Sequence, residues 1–298
     1  MVHVPVLLNE VIDALDLKNG KVAVDGTLNG GGHAREIIRK IMPGGKFIGI
    51  DLDSEILSNT KIEIEKEFSE YKSDMNFVHG NYRDLLRIIQ ENGFPRPDAV
   101  MLDLGFSSYH IDSADRGFSF QKDEPLDMRY DQTTGRPAYE IINGMDEKSL
   151  ADIIWKYGEE RFSRHIAKAI VTARRKNKIK TTLELSEIVR NSVPSFYKRG
   201  RLNPATKTFQ ALRICVNDEL GNLESFLKNI PEVMARGGRL AIISFHSLED
   251  RIVKNSFNAY KKNKIANVIT KKPIIATKKE EEGNPRSRSA KLRVLEII

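Results

Sequence analysis

Val22-Ala23-Val24-Asp25-Gly26-Thr27-Leu28-Asn29-Gly30-Gly31-Gly32-His33 is the stretch on which the reading of this chain turns. A β-branched apolar run closes on a carboxylate and gives way to four glycines in seven residues. That pattern reads as a buried strand turning sharply into a helix that begins near His33. Bare backbone at the turn permits positive φ and lets a flat or anionic ligand approach the amides of a helix N-terminus, as a nucleotide-cofactor cradle requires. The competing reading is a tight turn that holds no ligand, because glycine turns are common.

Working outward, two further apolar runs end in acids. Lys46 to Asp51 closes roughly twenty residues after the glycines, the spacing at which Rossmann-type folds set a carboxylate against ribose hydroxyls. Pro97 to Asp103 ends the same way and is followed by the small-residue turn Leu104-Gly105-Phe106-Ser107-Ser108. Parallel strands that finish in carboxylates align those groups along one sheet edge, where open α/β folds bind ligands. The glycines do not spell G-x-G-x-x-G, so a dinucleotide loses ground. S-adenosylmethionine suits the edge better, being compact, cationic at sulfur and free of pyrophosphate. Asp25 would favour its cationic methionine end, Asp51 would take the ribose hydroxyls, and Asp103 would stand beside the methyl group.

Asp103-Leu104-Gly105-Phe106 occupies the place where amino-group methyltransferases carry a D/N/S-P-P-Y/F sequence, and the whole chain resembles one family, the bacterial 16S rRNA cytosine-N4 methyltransferases (MraW, or RsmH). The resemblance rests on eight motifs in order: His3 to Glu10, Asp25 to His33, Leu102 to Ser108, Arg116 to Phe120, Leu126 to Arg129, Tyr157 to Arg161, Pro204 to Gln210 and Ile243 to Arg251. It implies S-adenosylmethionine contacts at Gly31, Gly32, His33, Asp51, Tyr82, Asp103 and His110. Tyr82 stands where Phe is common, keeping an aromatic face; His110 stands where Gln is common. It also implies a 16S rRNA substrate in the small ribosomal subunit and a seven-stranded, Rossmann-like class I methyltransferase sheet in the order 3-2-1-4-5-7-6, with the last strand antiparallel. A homodimer is left open. The alternatives are a methyltransferase for another nucleobase or amide nitrogen, and a non-catalytic S-adenosylmethionine-binding module.

Composition bounds the function without deciding it. A chain of 298 residues suffices for one large or two modest domains. The net charge of +7 is compatible with a polyanionic partner and equally with an ordinary, mildly basic protein. One cysteine, Cys215, excludes an intramolecular disulfide and a cysteine-built zinc site. Its helical, apolar surroundings read as a buried structural thiol, which disfavours C5 methylation through a cysteine adduct. No apolar run approaches spanning length and no signal peptide is visible, so a cytoplasmic protein is expected. His3 and His79 lack partners at metal-site spacing, so no metal is expected.

Strand and helix signals alternate to about residue 105, cease, and resume after about 215. The expectation is therefore an α/β sheet domain from 1–111 and 216–298, with an inserted all-helical, substrate-recognition domain at 112–215. Helical spacing marks Leu150 to Tyr157, Ile166 to Val171 and Leu183 to Val189 within the insertion. Phe196-Tyr197-Lys198-Arg199-Gly200-Arg201 mixes aromatics with cations, a composition able to stack on unpaired bases while holding phosphates, so Lys198, Arg199 and Arg201 are candidate RNA contacts. Arg116 is open to the same role, whereas Arg129 is expected to pair with Asp127. Asn203, Thr206 and Thr208 could cap the helix that follows. Residues Lys271 to Lys291 carry mixed charge and read as a mobile loop. His246 has two even readings: orienting the target base or moving a proton beside Asp103, or a hydrogen-bonded core histidine.

Overall fold

The computed structural model describes residues 5–105, 109–110, 115–200 and 202–298. Seven strands form one sheet: β1 (Val22–Asp25), β2 (Lys46–Asp51), β3 (Met75–His79), β4 (Ala99–Asp103), β5 (Arg239–Ser244), β6 (Ala266–Val268) and β7 (Lys291–Ile297). Their order is β3-β2-β1-β4-β5-β7-β6. Strands β1 to β5 run parallel, and β7 pairs antiparallel with both β5 and β6. This is the seven-stranded, Rossmann-like order that the resemblance implied.

The strands are apolar throughout because both sheet faces are covered. Alternate side chains leave on opposite faces, so Ala23, Phe47, Met101 and Ala241 enter one core while Val24, Ile48, Leu102 and Ile242 enter the other. The first core takes Ile37, Ile38 and Ile41 from the helix Gly32–Ile41. The second takes Phe226 and Leu227 from the helix Glu219–Val233, and Val253 and Phe257 from the helix Ser247–Lys262.

The chain divides into two compact units, Met1–Ser107 with Leu220–Ile298, and Ser108–Glu219. Among its described residues the second unit holds no named strand. Its helices Ala138–Gly144, Glu147–Gly158, Ser163–Arg174, Thr182–Ser192 and Thr206–Asn217 enclose a core of Ile142, Leu150, Ile154, Ile166, Leu185 and Leu212. Asp127 and Arg129 do pair, through Arg129 Nη2 and Asp127 Oδ2 at 2.8 Å.

Two local expectations need correction. The stretch after Lys271 is not a loop throughout: Thr277 caps a helix over Lys278–Gly283, and the Glu280 carboxylate accepts the Leu7 amide at 2.8 Å. A Thr followed three residues later by Glu is itself a helix-start signal, which the charge run obscured. Ahead of Thr206–Asn217 the capping position falls on Ala205 without a side-chain cap; Asn203 Oδ1 instead accepts the Ala205 amide at 2.9 Å.

Candidate active site at the carboxyl edge of the sheet

Register brings the acids together. Asp25 pairs with Gly49 on one side and Met101 on the other, Asp51 closes β2, and Asp103 closes β4 opposite Ile243. All three are buried.

The glycine turn is a hydrogen-bonded frame. Gly26 N donates to Met101 O at 2.9 Å, Leu28 N to Ile50 O at 2.9 Å, and Gly31 N to Leu28 O at 2.8 Å. Thr27 N donates to Asp25 Oδ1 at 3.1 Å, and Asn29 N to Asp51 Oδ2 at 2.8 Å. Thr27 Oγ1 accepts the Asp103 amide at 2.6 Å, joining the turn to β4. Those five turn amides point inward to protein acceptors. Gly31 does adopt a positive φ of 70°, as the turn reading required. Its bareness serves packing: an added Cβ would lie 2.7 Å from Thr60 Cγ2 and 2.9 Å from Ile64 Cδ1. At Gly32 it would meet the Pro5 ring at 3.0 Å.

Asp51 is a brace as well as a candidate ribose acceptor. Its Oδ1 takes the Asp53 amide at 2.9 Å, and Asp53 in turn caps the helix Ser54–Glu67. Tyr82 packs edge-on against Phe226, with ring centroids 5.6 Å apart. A Cβ on Gly26 would come within 3.2 Å of the Tyr82 Cβ, which sets this aromatic beside the turn.

His33, near the start of Gly32–Ile41, holds Val6 O through Nε2 at 2.9 Å. A carbonyl only accepts, so Nε2 carries the proton, and in the neutral ring Nδ1 carries the lone pair. That Nδ1 lies 3.8 Å from Asp103 Oδ2. The other oxygen, Asp103 Oδ1, is buried without a hydrogen-bond partner among the described residues. Burial first, then the charges of Asp25 and Glu249, push the Asp103 carboxyl up to about 8, with Arg286 acting in the opposite sense. Burial and the charge of Asp51 likewise push Asp25 up to about 7, against the pull of the Thr27 amide. At both groups burial is the larger cause, and the neighbouring carboxylates add to it.

His246 caps the helix Ser247–Lys262: its Nδ1 accepts the Glu249 amide at 3.4 Å, while Glu249 Oε2 accepts the amides of Phe245 at 2.8 Å and His246 at 3.3 Å. The reciprocal arrangement is a capping box. Its Nε2 stands 3.2 Å from Glu249 Oε1. The hydrogen-bonded reading of His246 thus has direct geometry behind it. Glu249, buried and felt by Asp103, escaped the sequence reading, although its spacing of three from His246 was a visible capping signal.

The remaining candidates belong to the helical unit. His110 is buried against Phe118 and Tyr130, at ring centroid distances of 4.8 and 5.0 Å. Arg116 is also buried, donating to Tyr130 O at 3.1 Å. Arg199 is exposed and Lys198 half-buried. Phe106 and Arg201 lie outside the described residues. Cys215 is half-buried, and burial together with Asp218 pushes its thiol up. Among the described residues no helix is long and apolar enough to cross a membrane.

Comparison with known proteins agrees over the full length. A model of the MraW methylase family matches residues 1–298. The chain is 42% identical to the ribosomal RNA small subunit methyltransferase H of Syntrophus aciditrophicus, covering 99% of this chain and 98% of that one. It is 43% identical to the like-named protein of Clostridioides difficile, covering 99% of each, and 47% identical to that of a Nostoc species, covering 99% of this chain and 92% of the relative.

Proposed function

The chain belongs to the MraW methylase family, and from that premise we propose that it methylates the N4 amine of a cytosine in 16S ribosomal RNA of the small ribosomal subunit. It is a methyltransferase whose cofactor is S-adenosylmethionine. The observation that carries the chemistry is Asp103, buried at the end of β4 with Oδ1 lacking a hydrogen-bond partner among the described residues.

The acidic edge fits the cofactor. Asp25 and Asp103 hold their protons because burial disfavours the bare carboxylates and neighbouring acids add to that, and a sulfonium cation beside them would favour the ionised forms as a diphosphate would not. Asp25 and Asp51 would serve its charged and ribose ends, Gly31, Gly32 and His33 the wall, and Tyr82 an aromatic face. When bound, S-adenosylmethionine supplies an electrophilic methyl group.

The protein's own part begins with the amine, whose lone pair is delocalised into the cytosine ring. A hydrogen bond accepted by Asp103 Oδ1 gathers that electron density on nitrogen. With a cation beside it Asp103 would be ionised, and a carboxylate whose proton affinity burial has raised could then take up the proton released on methylation. His33 Nδ1 stands 3.8 Å from Asp103 Oδ2, on the side away from Oδ1, which has no hydrogen-bond partner among the described residues. Holding both reactants in attack geometry accounts for about 7 to 11 kcal/mol at best. Lys198 and Arg199, with Arg201, would hold RNA phosphates, and the enzyme would work in the cytoplasm, where its RNA is.

A tritium-methyl transfer assay on naked 16S RNA, an assembling particle and the mature small subunit, followed by nucleoside analysis, tests this reading. Label in N4-methylcytidine is expected. Cofactor binding with no transfer to any of the three would favour a binding module instead.

A further inference from the structure

The motif ending Glu159-Glu160-Arg161 has no role in the chemistry above, yet it organises a compact aromatic surface in the helical unit. Glu160 is fully buried, and both carboxylate oxygens are committed: Oε1 accepts the Phe162 amide at 2.8 Å, and Oε2 accepts the Tyr197 hydroxyl. Phe162 then meets Tyr197 edge-on at 5.0 Å and Phe196 at 6.3 Å. The Arg161 guanidinium carbon lies 4.9, 5.2 and 5.6 Å from the Phe162, Tyr197 and Phe196 centroids. Among the three rings Phe196 is the exposed one, with 62% of its surface open to solvent.

Resting on the ribosomal RNA reading, we propose that Phe196, backed by the Arg161 guanidinium, is a stacking platform for an unpaired base of the RNA substrate. A phenyl ring packed against Phe162 and Arg161, whose neighbours Phe162 and Tyr197 are tied to the buried Glu160 carboxylate, presents its face at little entropic cost to the bound state. A cation packed against the cluster is the companion that aromatic single-strand sites use, because guanidinium and base planes stack alike. Charge points to the same occupant. Arg161, over the ring, is exposed, as are Arg164 and Arg199, close to the cluster residues in sequence, while Glu160 is spent internally and Glu159 is the exposed acid of the motif. One large ring among cations matches an aromatic polyanion better than it matches an apolar peptide, which needs a broader hydrophobic face.

The test uses the full-length protein and a fluorescein-labelled single-stranded fragment of 16S RNA, with a duplex of equal length as comparison, titrated by anisotropy across a salt series. Phe196→Ala is expected to weaken single-strand binding by about 5- to 150-fold, to leave the salt dependence unchanged because no counterion is released by stacking, and to leave the duplex unaffected. Phe196→Trp should restore binding. Lys198→Ala with Arg199→Ala should instead flatten the salt dependence. Unchanged single-strand affinity in Phe196→Ala, or an equal loss on the duplex, overturns the platform. Failure of the wild-type protein to methylate RNA would sink the functional reading separately, since that outcome is read as transfer rather than as binding.

Discussion

His33 Nδ1 lies 3.8 Å from Asp103 Oδ2, and both side chains are buried. The gap is longer than a hydrogen bond, so the two buried groups face each other without a direct bond between these atoms. A carboxyl left in that state retains its proton where an ordinary aspartate would have lost it.

The first prediction follows from this proton. Asp103 goes from 3.8 when unfolded to about 8 when folded, so the native state binds a proton that the unfolded chain has released. The associated stability is complete below about pH 4 and is lost as pH rises through about 8. Asp103→Asn, which cannot ionise, should abolish methyl transfer and melt higher than wild type at pH 8.5, with the difference shrinking toward pH 5. A melting difference that does not change with pH would remove the buried proton from the account.

Cofactor binding should release protons near neutral pH. A cation settling on this edge favours ionised Asp25 and Asp103, both of which are partly protonated at pH 7 by their raised values. Calorimetry in buffers of different ionisation enthalpy should show net release with S-adenosylmethionine and less with S-adenosylhomocysteine, whose sulfur is uncharged. Equal release by the two would mean that the acids do not sense the sulfonium.

Asp51→Ala should cost both affinity and stability, because the carboxylate accepts the amides of Asn29 and Asp53. Leaving a buried donor unpaired costs about 1 to 3 kcal/mol. Asp51→Asn keeps an acceptor and should retain more of the fold while still weakening cofactor binding. Denaturant unfolding and calorimetry on the two variants separate the effects; an Asp51→Ala protein with wild-type stability would contradict the bracing role.

Gly31→Ala should destabilise even without ligand, by about 1 to 3 kcal/mol, since its Cβ runs into Thr60 and Ile64. Gly20 shares a positive φ, 83°, but has open space around it, so Gly20→Ala should show only the backbone cost of about 1 to 2 kcal/mol. Comparable losses in both would place the whole penalty on the backbone and none on packing.

Cys215→Ala should fold and keep methylating. Its thiol is raised by burial and by Asp218, the reverse of what a nucleophile needs. A folded but inactive variant, or label on cytosine carbon 5, would overturn the assignment of the product.

The strand ends were legible in the sequence because a run such as Val22 to Asp25 is buried on both faces and its closing acid is the only polar group in it. The roles of the glycines were less so. Gly31 reads as a ligand approach when only the turn is considered, and the reason it must be bare lies on Thr60 and Ile64, about thirty residues away. Pairings at such separations leave no local trace, which is also why the His33 to Asp103 approach could not be read beforehand. Glu249 and Thr277 were legible, since both belong to capping patterns, but charge and catalysis drew the eye past them.

Asn217 Oδ1 accepts the Tyr130 amide, and its Nδ2 donates to Met128 O, each at 2.8 Å. The helical excursion is therefore buttoned closed: the chain returns, 87 residues later, to the place it had reached at Tyr130. Loop-closure entropy grows by only about 0.6 kcal/mol per doubling of length, and an ordered excursion with adjoining ends costs less still. The helices between residues 130 and 217 thus start and finish at one hydrogen-bonded seam within the helical unit. Helices hung between two ends so fastened could be lengthened, trimmed or exchanged without disturbing the seam that closes them.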